Sequence, residues 1–386
     1  MIRNKIIPVL NVISITCLLL DSGGGLGLRN VAFTLILIFG CYGIYRNASI
    51  NKLFLTFYLL FIILLIPPLI VSLINNVPMN KAFIWVVSFF LLPFFYFYVK
   101  GCALSNNAFV TSGLIFSIII IMIFSGRLFN IALINNIADY IKDHSEGFFG
   151  DKSYLSGDVL PNVYFQGTLG LIICGSLSLQ GKKYLTYFLI IIALILAPSR
   201  FGFLVLLSWG TYIFICKSII NLIVLPALIV TFLYTLSHFP FGVEMFSIFT
   251  GGGNGLEIRN GHLESVYNSF IQTPESFFWG AGPGSVFYSK GAGNVIDNIE
   301  MSQLEYIRKF GIFSFLAFNV LYFGPFFSRA KGDFYILGAL CMYYFVAFSN
   351  PVLYSIFAML FLAYAYVECF QHKTQQINKP LITNGK

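Results

Sequence analysis

The chain has 386 residues, of which 58% are hydrophobic and only 10% charged, with a mean hydropathy of +0.84. No water-soluble domain of this length could bury that share of apolar side chains, so the composition excludes a soluble globular protein and points to a polytopic membrane protein. The net charge of +8 reflects which side of the membrane the basic residues occupy, and nothing in it suggests nucleic-acid binding.

Apolar runs near the roughly 17 to 25 residues that cross a hydrocarbon core recur from end to end. The sequence predicts an all-α polytopic protein with about twelve spans, at 6–20, 30–45, 53–74, 82–99, 108–125, 161–179, 183–197, 201–216, 218–237, 310–327, 333–349 and 351–369. The first run follows the basic stretch "MIRNK", so a cleaved signal peptide is an alternative. However, "LLLDSGGGLG" lacks a clear A-x-A site, and the later topology works only if this helix stays. The seven cysteines fall within spans or on the side expected to be cytoplasmic, where no extracytoplasmic disulfide is expected.

With a cytoplasmic N-terminus and alternating spans, the inner segments hold 13 of the 23 basic residues and only two acids, Asp333 and Glu368. The short outer connections hold only Arg29, Lys81 and Arg200. The positive-inside rule therefore places both termini in the cytoplasm. Two outer segments are long, 126–160 and 238–309, and loops of such length in a compact protein are usually functional. The second is rich in glycine and aromatics, and its "LESVYNSFIQ" has a helical spacing suited to the membrane surface.

One residue breaks the apolar pattern between the seventh and eighth spans. In "LILAPSRFGFLVLL", Arg200 sits at the outer end of both, beside Pro198. It could be an interfacial anchor, since an arginine near the interface can snorkel at little cost. Yet the positive-inside rule disfavours arginine on this face, and a guanidinium with five fixed donors suits a diphosphate at the membrane surface. Arg259 and His262, in "GLEIRNGHLES", are either a solvated loop with a local Arg–Glu pair or part of such a site. Arg127 in "FSGRLFN" and His144 in "KDHSEG" have weaker individual claims.

"GAGPGS" at 280–285 and "GGGNG" at 251–255 superficially resemble nucleotide-binding glycine turns. Neither follows a strand in a βαβ unit and no Gly-Lys-Ser/Thr follows, so both nucleotide readings are rejected. What remains is a turn that lets the backbone bend or approach a ligand. No histidine or cysteine cluster has metal spacing, so no metal and no cofactor is expected. Any chemistry must come from dispersed arginines and carboxylates.

In order along the chain come a short outward turn before a span ("PSRFGFLVLL"), a large outer loop with a basic residue, a glycine turn ("WGAGPGS"), and a polar run leading into a span ("EMSQLEYIRKFGIFSFL"). This order resembles the O-antigen polymerase (Wzy-type) and O-antigen ligase superfamily, by motif over about 160–330 and by topology over the whole chain. The resemblance implies a GT-C-type, metal-independent, inverting glycosyltransferase of the bacterial cytoplasmic membrane. Its substrates would be undecaprenyl-diphosphate-linked oligosaccharides, and a chain-length regulator would be a partner. For the polymerase, the implied reaction transfers the growing glycan to the non-reducing end of an incoming lipid-linked repeat unit.

The ligases carry a histidine in the polar run; here the corresponding position is Glu300, which favours polymerase over ligase. Arg200, Arg259 and Arg127 are then candidates to hold the diphosphate, and Glu300, with His262 second, to take the acceptor proton. The alternatives are a ligase, a flippase for the same lipid-linked sugars, and a structural membrane component. No convincing internal repeat of the kind common in transporters is present.

Overall fold

The computed structural model describes residues 3–46, 49–144, 148–153, 159–197, 199–216, 254–328, 333–350 and 352–377, with a few isolated positions between 227 and 238. Four stretches are long and apolar enough to cross a membrane: Leu28–Tyr45, Lys52–Ile74, Met79–Cys102 and Asn106–Leu128. Shorter apolar helices cover Ile6–Leu20, Tyr184–Leu196, Phe201–Ile215, Phe334–Val346 and Ile356–Phe370. The chain is thus a mostly helical membrane protein, and the expected span at 218–237 lies for the most part outside the described residues.

The first six helices are α1 (Arg3–Leu20), α2 (Leu28–Tyr45), α3 (Lys52–Ile74), α4 (Met79–Phe90), α5 (Leu92–Cys102) and α6 (Asn106–Leu128). Asn51 starts α3, its side chain accepting from the backbone N–H of Leu53 at 2.8 Å and Phe54 at 3.2 Å. Helices α2 and α5 touch backbone to backbone: a Cβ on Gly101 would lie 2.6 Å from the Cα of Gly43. Such small-residue contacts are how helices associate where lipid removes the hydrophobic drive. Outward from the bundle, α3 presents Ile63, Ile66, Ile70 and Leu73 as an exposed apolar surface, as expected of a helix facing lipid.

The expected span at 161–179 takes another form. Residues Val159–Tyr164 form a strand, β2, paired antiparallel with β1 (Phe148–Ser153), and a 3-10 turn, Gln166–Gly170, leads into the ten-residue helix α8 (Leu171–Gln180). Pro161 and two glycines account for the break. At Gly167 the chain runs against the Leu19 carbonyl of α1, where no side chain would fit. Residues 171–179 of α8 are buried on every side, so this segment is core rather than a lipid-facing span.

Both long segments carry regular structure among their described residues. The first carries helix α7 (Ala132–His144) and the β1–β2 hairpin; the second carries α11 (Asn254–Gln272), α12 (Pro274–Trp279) and a hairpin of β3 (Phe287–Ser289) with β4 (Asn294–Ile296). Among the described residues the regular structure is helical apart from these two short hairpins, which pair the backbone within the two segments; Phe149 and Val163 of the first are buried in the hydrophobic core. Helices α9 (Tyr184–Leu196) and α10 (Arg200–Ile215) precede the second segment. After it come α13 (Ser302–Tyr322), a 3-10 turn at Gly324–Phe327, α14 (Phe334–Val346) and α15 (Ile356–Ile377). The run expected as a span at 310–327 is entered through a kink at Gly311, with φ 76° and ψ 167°. Helix α15 is the central post, buried continuously from Phe357 to Val367.

Candidate functional site

The second long segment is built on α11. This helix buries Gly261 and His262 against the β3–β4 hairpin. A Cβ on Gly261 would meet the backbone of Gly291, and one on Gly291 would meet the Ile258 carbonyl, so glycine on both sides sets the approach. His262 is 5% exposed, and its Nδ1 lies 2.5 Å from the Ser289 hydroxyl, which is itself fully buried. Lys290 adds a 2.8 Å ion pair to Glu264 and a backbone bond to Ser265. His262 therefore joins helix to hairpin.

From that hairpin the chain continues to Glu300. Its Oε2 lies 3.4 Å from an Arg259 Nη2, bringing together residues 41 apart in sequence. Both side chains are accessible, at 39% for Arg259 and 63% for Glu300. The Arg259 Nε and the Asn298 Oδ1 are buried and have no hydrogen-bond partner among the described residues. Tyr164, at the end of β2, lies near enough to feel the carboxylate: burial first, and the Glu300 charge second, push its hydroxyl up to about 12. Two of the sequence candidates thus meet at one accessible point.

Arg200 opens α10, but its side chain lies outside the described residues. The first turn of α10 packs on the end of the 3-10 turn and the start of α8, since a Cβ on Gly202 would meet Leu169 and Ile172. Arg127 is placed otherwise. In the last turn of α6, it pairs with Asp139 of α7 at 3.0 Å, which ties that helix to the bundle. His144, at the end of α7, stacks on Tyr140 with ring centroids 4.3 Å apart.

Sequence reading missed a buried charge cluster at the start of α13. Arg308 donates to both Glu305 oxygens, at 2.7 and 2.9 Å, and to the Ser285 hydroxyl and the Ser285 and Asp297 carbonyls. Lys309 lies 2.9 Å from Glu305, poorly aligned as a hydrogen bond, with its Nζ 3.1 Å from the centroid of the Trp85 ring. All three charges are essentially sealed from solvent. Lys309 stands before the kink at Gly311, and burial outweighs Glu305 to bring its ammonium down to about 8. The i, i+3 and i, i+4 spacing of "EYIRK" was the available signal, since such pairs share a helix face.

The glycine turn of 280–285 holds this cluster in place. Gly280, Gly282 and Gly284 all have positive φ, at 81°, 94° and 81°. The turn is wedged between two elements: the N–H groups of Ala281 and Gly282 donate to the Arg308 and Lys309 carbonyls, and Ser72 of α3 donates to the Pro283 carbonyl. A Cβ at Gly282 would strike the Ser72 backbone. Among the described residues no cluster of histidine, cysteine and carboxylate could hold a metal ion. Compared with known proteins, the chain matches no family model and no curated sequence.

Proposed function

We propose that this protein is a polysaccharide polymerase, joining undecaprenyl-diphosphate-linked oligosaccharide repeat units at the outer face of the cytoplasmic membrane, and that Arg259 and Glu300 form its reacting pair. The single observation that carries the reading is their approach at 3.4 Å on an accessible surface. An exposed ion pair of this kind is worth at most about 1 kcal/mol, so each partner can exchange the other for substrate at little cost.

In the proposed reaction Glu300 accepts the proton of the acceptor hydroxyl as its oxygen attacks the anomeric carbon of the donor sugar. The bond from that carbon to the diphosphate oxygen breaks, and the electron pair leaves with undecaprenyl diphosphate. Arg259, whose side chain is exposed beside Glu300, meets the charge that develops there. Displacement in one step inverts the anomeric centre. Arg200 supports the same charge from the first turn of α10. A cation at a helix N-terminus opposes the helix dipole, by roughly 0.3–1 kcal/mol, and an anion held at that point reverses the sign.

The test is a gel of surface glycan from cells lacking the protein and complemented with wild type, Arg200→Ala or Glu300→Ala at matched membrane expression. Collapse of the ladder to core plus one repeat unit is the expected result. Loss of all repeats, with polymer accumulating on the lipid carrier, would instead indicate a ligase. An unchanged ladder from both variants would return Arg200 to the role of interfacial anchor.

A further inference from the structure

A cavity of about 480 Å³ opens at the same end of the bundle, lined by the end of α3, by α11 and α12, and by Arg308. Neither Arg259 nor Glu300 lines it, but Arg308 bonds the carbonyl of Asp297, three residues before Glu300. The volume falls within the range of small-ligand pockets, about 300–1,000 Å³.

Its walls have two characters. Trp279, 42% exposed, is braced on one side by Phe313 at 5.1 Å between centroids, and Phe287 is held by the Arg308 guanidinium at 4.4 Å. The polar wall is rich in acceptors. Ser269 and Ser276 spend their protons on the Val266 and Thr273 carbonyls, at 2.7 and 2.6 Å, and turn lone pairs elsewhere. Asn75 donates its amide to the Ala281 carbonyl, leaving its oxygen, and Glu275 contributes a carboxylate.

A phosphate would find no suitable cation here. Arg308 is committed to Glu305, Ser285 and Asp297, and Glu275 would repel it. An acyl chain would cover these polar oxygens without replacing their hydrogen bonds with water. A pyranose suits both walls, with an apolar C–H face for the indole and hydroxyl donors for the acceptors. We infer that this cavity is a glycan subsite, separate from the diphosphate position, which seats an uncharged sugar of the repeat unit against Trp279. The inference rests on the polymerase reading for its choice of glycan.

The probe is the lipid-free, diphosphate-free oligosaccharide repeat unit released by mild acid from the host's lipid-linked intermediate, titrated calorimetrically into the detergent-solubilised full chain. Wild type should bind it. Trp279→Ala should weaken binding about tenfold or more, whereas Trp279→Phe, which keeps an aromatic face, should stay within about threefold. Inorganic pyrophosphate should not compete.

No binding by wild type, equal binding by Trp279→Ala, or competition by pyrophosphate would overturn the subsite. Failure of the polymerase reading is seen elsewhere, as an intact surface ladder after deletion. A ladder lost on deletion together with oligosaccharide binding indifferent to Trp279 would sink the subsite alone.

Discussion

Two ion pairs lie close together along the chain and differ in kind. Arg259–Glu300 is long and exposed, whereas Glu305 is sealed with Arg308 and Lys309. Removing one partner of a buried pair leaves an uncompensated charge and costs about 3–5 kcal/mol, against about 1 kcal/mol or less at the surface. Glu305→Gln should therefore lower the thermal unfolding midpoint in detergent sharply, while Glu300→Gln should leave it nearly unchanged and remove activity. A second consequence concerns pH. The Lys309 ammonium falls from its ordinary 10.5 to about 8 on folding. Between those values the unfolded chain holds more protons, so this residue makes stability rise with pH. Comparing melting curves at pH 8 and 10, Lys309→Met should rise less than wild type; an equal rise would remove Lys309 as the cause. Arg259 stands out in the sequence as a basic residue of the glycine-rich segment, and Glu300 through its place in the polar run that resembles the superfamily's; that the two approach each other was not legible. Nor was the buried cluster, because Glu305 looks in the sequence like any other loop carboxylate, and only the fold reveals that it is enclosed.

At the scale of elements, the glycine turn and the kink at Gly311 set where α13 begins relative to α3. Gly311→Ala would demand a side chain at φ 76° and drive its Cβ into the Phe278 carbonyl, while Gly293, at φ 68°, has nothing within 4 Å of that position. We expect Gly311→Ala to destabilise the protein well beyond the ~1 kcal/mol of an ordinary glycine replacement. Gly293→Asn should stay near wild type, since asparagine tolerates the left-handed region. Equal melting temperatures for the two variants would contradict this. The sequence marked 280–285 as a place where backbone bends or approaches something; what it approaches is the chain itself. The region 161–179 misled for a different reason. Its hydrophobicity is that of a span, but a segment buried on all sides by protein is just as apolar as one facing lipid, and hydropathy does not distinguish them.

Across the whole molecule, the order of apolar helices follows the hydropathy of the chain, while the content of the two long segments does not. Helix α11 and both hairpins are held by contacts between residues distant in sequence, such as Gly261 with Gly291. Charge asymmetry predicts that these segments face outward. Cysteine introduced at the exposed Glu264 should react with a membrane-impermeant maleimide in intact cells or spheroplasts, and labelling only after lysis would reverse the orientation. The proposed chemistry needs that face, since the lipid-linked sugar, the arginines and Glu300 must share it. The most direct measurement is reconstitution of the purified protein in liposomes with its lipid-linked repeat unit, following undecaprenyl diphosphate released per glycosidic bond formed. Wild type should release one carrier per linkage without added metal, and Glu300→Gln should slow this by about 10²–10⁴-fold. A Glu300→Gln protein that polymerises at the wild-type rate would contradict the account.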